Sequence, residues 1–145
     1  VNERVIVLGD VRMATALILE DDVLLAMAMS LLLQDGGYTP YVAHNVEAAL
    51  DITHRTTPEL LIADWSVNGQ GSSLYVAEAV RAKNARARVV FVSGYPEDEI
   101  RSLAAAAAPY AVYQKPLNFD LFCSEVLTEG SSAEYNADRA PSIAG

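Results

Sequence analysis

A doubly wound α/β fold around a parallel sheet is what this chain predicts, and three observations predict it. Short apolar runs alternate with amphipathic stretches from about residue 15 to residue 128, the rhythm of repeated strand–helix units. The runs 16–19, 60–63 and 89–92 are apolar at every position, as strands covered on both faces must be. Each of them ends abruptly in polar residues: Glu20-Asp21-Asp22, Asp64 and Ser93.

The elements follow in order. Residues 1–13 read as an extension outside the fold. Val5 to Leu8 has a strand's composition, but Gly9-Asp10 follows at once, and Met13 stands as a candidate natural start. Strand one is expected at 16–20. The helix after it carries Leu24, Met27, Ala28, Leu31 and Leu32 on one face and stops at Asp35-Gly36-Gly37, where glycine ends helical continuity. A second strand near 39–43 leads into a helix capped by Asn45, with Val46, Ala49, Leu50 and Thr53 inward. Strand three is 60–63. A Gly- and Ser-rich loop at 66–73 precedes a helix bearing Leu74, Ala77 and Val80.

Strand four is 88–92. Pro96-Glu97-Asp98-Glu99 supplies the fixed φ and negative charge favoured in a first helical turn, and this helix is expected to include Ala104 to Ala108 and finish before Pro109. Strand five, 110–114, precedes a last helix capped by Asn118, with Phe119, Phe122 and Val126. The domain thus runs 14–128, and 129–145 reads as a disordered tail of small and polar residues. Five such units give the flavodoxin-like order 2-1-3-4-5, in which strands one and three are neighbours and ligands lie beyond the carboxyl ends of the strands.

Composition narrows the function. The 145 residues are 52% hydrophobic, ample for one packed core. A net charge of −9 argues against non-specific binding to nucleic acid phosphates and suits either plain solubility or protein partners. Cys123 is the single cysteine, so no internal disulfide forms, and its neighbours Leu121, Phe122 and Val126 make it a small helix hydrophobe. No apolar stretch approaches the roughly 18 residues of a membrane span, and the amino-terminal run is too short for a secretory signal. A cytosolic location is the expectation.

The chemistry lies where the strands end. Glu20, Asp21 and Asp64, brought together by the strand order, repel one another unless a cation intervenes. Mg2+ takes oxygen ligands and commonly combines one or two carboxylates with phosphate. The main-chain carbonyl of Ser66 is a further candidate ligand, and no His/Cys cluster favours zinc. A carboxylate can attack phosphorus to give an acyl phosphate, provided that cations relieve the repulsion between anions. Asp64 is then the nucleophile, Lys115 the neutralising cation and Ser93 the hydrogen-bonding hydroxyl. Gly69-Gln70-Gly71 reads as a flexible site loop rather than a P-loop, since the Gly-Lys-Ser/Thr ending is missing. His44 and His54 are expected away from the site and without partners. Trp65 either shields the nucleophile, meets a partner or simply packs.

In their order and spacing, Asp21, Asp64, Ser93 and Lys115-Pro116 resemble the receiver domains of two-component response regulators, over about residues 15–128. The resemblance implies that Glu20 and Asp21 are the metal-site acids, Asp64 the phosphoacceptor, Ser93 the switch hydroxyl and Lys115 the paired lysine. Asp22 occupies a third acidic position that is usually not a ligand. It also implies a sensor histidine kinase or phosphotransfer protein as donor, output through protein contacts, and a dimer surface formed by helix four, strand five and helix five.

Three positions depart from the receiver pattern: Asn68 and Ser72 stand where proline and glycine are common, and Val112 replaces the switch aromatic, with Tyr113 facing the other way. Phe91-Val92-Ser93-Gly94-Tyr95 resembles the FAT GUY receivers, which generally lack that aromatic. Two other readings stay open: a degenerate receiver that binds partners without phosphorylation, and a phosphohydrolase with an aspartyl nucleophile. The second usually has an Asp two residues after the nucleophile, where this chain has Ser66.

Overall fold

The computed structural model describes residues 14–127, so the expected extension at 1–13 and tail at 129–145 lie outside the described residues. The elements are β1 (Ala14–Leu19), α1 (Val23–Asp35), β2 (Tyr38–Ala43), α2 (Val46–Arg55), β3 (Leu60–Asp64) and α3 (Ser73–Lys83). They continue with β4 (Arg88–Ser93), α4 (Glu97–Leu103), a 3-10 turn (Ala105–Ala107), β5 (Ala111–Gln114) and α5 (Phe119–Phe122), which runs on as a π turn (Cys123–Leu127). All strand pairs are parallel, in the order β2-β1-β3-β4-β5, as the sequence predicts.

The two-residue period of the strands divides the core into two layers. Leu17, Leu19, Leu61, Ala63, Val89 and Phe91 pack with α2, α3 and Ile100 of α4. Ala16, Ile18, Leu60, Ile62, Val90 and Val92 face α1 and the α5 region. Each fully buried Leu, Ile or Phe contributes about 1.5–3 kcal/mol, so these strands are the most stable part of the molecule. They form the rigid floor from which the end residues project.

Two helices differ from expectation. The periodic stripe of α1 is not its buried face: Leu24, Met27 and Leu31 are 76%, 54% and 61% exposed, while Ala26, Met29 and Leu33 are buried. This helix is apolar almost all round, so periodicity could not choose a face. Its rotation is set at its start, where Asp22 Oδ1 caps the chain by accepting from the amides of Leu24 and Leu25.

The α-helical part of α4 stops at Leu103, and only a 3-10 turn covers Ala105–Ala107, despite alanine's high helix propensity. Ala108 adopts a left-handed φ of 46° immediately before Pro109, and proline cannot continue the helix. The Arg81 guanidinium fixes this ending with bonds to the carbonyls of Ala87, Ala107 and Ala108. The caps expected at Asn45 and Asn118 are present, accepting from Ala48 N and Leu121 N.

Candidate functional site

Glu20 follows the last residue of β1, Asp64 ends β3, and Lys115 follows β5. The strand order therefore brings residues from three distant segments to one edge. Lys115 Nζ lies 3.2 Å from Asp64 Oδ2 and 3.1 Å from Glu20 Oε1. The other oxygens are held by main chain: Asp64 Oδ1 accepts from Ser66 N and Glu20 Oε2 from Asp22 N, each at 3.0 Å. Both carboxylates are buried, whereas Asp21 is exposed.

Burial, followed by the charge of Asp64, raises the Glu20 carboxyl from 4.5 to about 7, against the opposing pull of the Asp22 amide and Lys115. Burial alone would lower the Lys115 ammonium, but its hydrogen bond to Glu20 and the charges of Asp64 and Glu20 outweigh that and hold it above its usual value. One ammonium thus serves two buried carboxylates, an arrangement that leaves negative charge over.

The donor set fits a hard divalent cation. Glu20, Asp21 and Asp64 each offer an oxygen, all within 4.8 Å of one another. Glu20 Oε1 is buried and faces the Lys115 ammonium at 3.1 Å, while Glu20 Oε2 accepts from both Asp22 N and Lys115 Nζ. Asp22 is engaged in capping α1. Ser66 O accepts from Gly69 N at 3.0 Å and keeps a second lone pair.

Ser93 ends β4, the strand beside β3. It is fully buried, its carbonyl accepts from Lys115 N at 2.7 Å, and its hydroxyl oxygen accepts from Tyr95 N at 2.9 Å. Val112 is buried in the core layer of α2, α3 and α4. Tyr113 faces the opposite layer as expected, edge-on to Phe122, its hydroxyl donating to the Glu125 carboxylate at 2.7 Å. Trp65 is buried edge-on against Phe91, so packing is its role in this conformation. Gly71 passes directly over its indole, where a Cβ would stand 3.5 Å from the ring.

Sequence reasoning missed several neighbours of the site. His44 was expected away from it and without a partner, yet its Nδ1 lies 2.8 Å from Glu20 O. The signal was available, because β1 and β2 are parallel with Leu19 opposite Ala43, so the residues just past each strand must meet. His54 likewise has a partner, the Leu50 carbonyl at 2.7 Å, but on α2. Asn68, at φ 60°, accepts from Val46 N at 2.7 Å and ties the loop after Asp64 to the start of α2. Gln70 Nε2 donates to Tyr95 Oη at 2.9 Å, tying the same loop to the one after β4.

The sequence profile of the response regulator receiver domain matches residues 16–127. The chain belongs to the response regulator receiver family. Solved structures agree on the receiver fold. A response regulator from Thermotoga maritima is 20% identical, with a TM-score of 0.70 over 83% of this chain and 99% of that one. The chemotaxis response regulator CheY4 of Vibrio cholerae is 20% identical at a TM-score of 0.68, over 77% of this chain and 94% of that one. A response regulator from Burkholderia pseudomallei, solved with a phosphorylated aspartic acid, calcium ion and citrate, is 22% identical. Its TM-score is 0.68 over 89% of this chain and 74% of that one. A search of curated protein sequences returns no match. Among the described residues of this receiver, no helix is long and apolar enough to cross a membrane.

Proposed function

We propose that this receiver takes a phosphoryl group on Asp64 from the phosphohistidine of a sensor kinase or phosphotransfer protein. The observation that carries this reading is the Lys115 ammonium, held within 3.2 Å of an oxygen of both Glu20 and Asp64. A carboxylate oxygen of Asp64 attacks phosphorus, the P–N bond breaks, and the imidazole leaves with the electron pair and takes up a proton. Asp64 keeps its orientation through Ser66 N. Lys115 neutralises charge on the phosphoryl oxygens, and the Ser93 hydroxyl donates to one of them. Glu20, Asp21, Asp64 and the Ser66 carbonyl would hold Mg2+, which when bound supplies positive charge to the transferring group.

Output runs through protein contacts. The surface between α4, β5 and α5 forms a groove of about 540 Å³ lined by Glu97, Arg101, Tyr110, Val112, Leu121 and Glu125. We assign the partner-binding or dimer face to it. Receiver domains are signalling modules in general, and the one reaction assigned to this chain is its own phosphorylation and dephosphorylation.

Intact-mass measurement with a small phosphodonor tests the reading. One phosphoryl group should be gained with Mg2+, not gained when a chelator is present from the start, and absent in Asp64→Asn. An unchanged mass with several donors would favour a binding module that needs no phosphorylation, and turnover of a phosphate ester would favour a hydrolase.

A further inference from the structure

We propose that His44 and Asn68 are positioning residues of the cation site, fixing its two arms against the one turn between β2 and α2. The inference deepens the function proposed above and rests on Glu20, Asp21, Asp64 and the Ser66 carbonyl being the cation's ligands.

One arm is the chain leaving β1. Glu20 N donates to Ala43 O at 3.0 Å, just past Leu19 and Ala43, the last pair of the β1–β2 ladder. One residue further, His44 Nδ1 lies 2.8 Å from Glu20 O. A carbonyl only accepts, so Nδ1 carries the proton and donates. The Glu20 carbonyl and the Asp21 amide belong to one planar peptide. Fixing that carbonyl therefore fixes the direction in which the chain passes from Glu20 to Asp21, and both are acids of the site.

The other arm is the loop leaving β3. Gly69 N donates to Ser66 O at 3.0 Å and closes a turn over 66–69. Asn68 stands inside this turn at a left-handed φ of 60°, a conformation that asparagine tolerates better than most side chains. Its Oδ1 accepts from Val46 N at 2.7 Å, and its carbonyl accepts from Ser72 Oγ at 2.9 Å. The turn that carries the Ser66 carbonyl is thus pinned to the start of α2.

Both ties end on the same short segment. His44 and Val46 flank Asn45, whose side chain already caps α2 through Ala48 N. Helix capping and strand pairing are therefore provided for without either tie, and what the two ties share is the site. Lys115 bonds Glu20 and Asp64 from within. The turn steadies what lies on either side of them, Asp21 and the Ser66 carbonyl, in a cluster of like charges that otherwise tends to spread.

The test is Mg2+ binding to the full chain by titration calorimetry, with the urea midpoint measured on every sample. His44→Gln moves the donor one atom outward, and Asn68→Gly removes Oδ1 while accepting the left-handed φ. Each should weaken Mg2+ binding about fivefold, the equivalent of one ordinary hydrogen bond. His44→Asn, whose Nδ2 can stand where Nδ1 stands, should keep the wild-type affinity. Because both ties act through one turn, the double variant should also be about fivefold weaker, and not about 25-fold as independent sites would give. Saturating Mg2+ should restore the wild-type rate of phosphorylation by a small phosphodonor, with only the half-saturating Mg2+ concentration shifted. Unchanged Mg2+ affinity in either single variant, with or without a lower urea midpoint, would overturn the positioning role alone, as would a fully additive double variant. A wild type that binds no Mg2+ would overturn both the positioning role and the cation site beneath it.

Discussion

At the amino-terminal edge of the sheet, Arg81, Lys83 and Arg88 bond to neutral partners, whereas at the carboxyl-terminal edge a single ammonium is shared by two buried carboxylates. Arg88 Nη2 donates to Tyr38 Oη at 2.8 Å and to Val126 O at 2.9 Å, and its guanidinium lies 4.5 Å from the centre of the Tyr110 ring. Lys83 Nζ bonds the carbonyls of Thr53, His54 and Thr56 at the end of α2, where the helix dipole favours a cation. These contacts join strands to helix ends, although Arg88 Nη1 is buried without a hydrogen bond. The other edge buries like charges that repel, and its carboxylate oxygens lie close enough to hold a cation. One edge favours stability, while the other gives up stability to keep a binding site ready.

Removing the stable edge breaks the comparison most directly. Arg88→Ala loses two charge-assisted bonds and a cation–π contact, and should lower unfolding free energy in urea by about 3 kcal/mol. Phosphorylation of the folded fraction should persist. A loss of phosphorylation in protein shown to be folded would mean that the two edges are coupled.

Next is Glu20→Gln, which removes charge from the crowded edge. Without divalent cation at pH 8 it should stabilise the protein by on the order of 1–3 kcal/mol, while weakening Mg2+ binding measured by titration calorimetry. A destabilised variant would show that Lys115 already compensates Glu20 fully.

The pH dependence has a definite sign. Glu20 is raised from 4.5 to about 7 in the folded state, so the folded chain holds a proton that the unfolded chain has released. Its contribution is fully present below pH 4.5 and is lost as pH rises through about 7. Thermal melts of cation-free protein should therefore fall between pH 5 and 8, and saturating Mg2+ should flatten the decline. A rising curve across that window would contradict the charge imbalance.

The smallest effect is expected at the exposed stripe of α1. Leu31→Ser should change stability by no more than about 0.5 kcal/mol, whereas Met29→Ala on the buried side of the same helix should cost about 2–5 kcal/mol. Denaturant midpoints of the pair fix the rotation of that helix.

Strands and end residues were legible because a fully buried strand is an unbroken apolar run, and the first polar residue marks its end. Asp64 and Ser93 could be found this way, and strand order then supplied the meeting of Asp64 with Lys115. The rotation of α1 was not legible, since a helix apolar on all sides carries no directional signal. The early end of α4 depends on Arg81, a residue on another helix whose reach cannot be read from spacing. Gln70 and Tyr95 were equally hidden, because loop-to-loop bonds have no period. Asn68 and Ser72 looked like losses from the receiver pattern, yet the structure gives both work: Ser72 Oγ donates to Asn68 O at 2.9 Å, in the same loop that Asn68 ties to α2.

Trp65, the one tryptophan of the chain, has its indole nitrogen buried without a hydrogen bond and its ring against Phe91. It is also the immediate neighbour of Asp64. An indole in such dry surroundings responds through its emission to any change of nearby charge, so the protein carries its own optical probe. Whether a cation or a phosphodonor reaches the proposed site can therefore be tested by fluorescence, with no label attached.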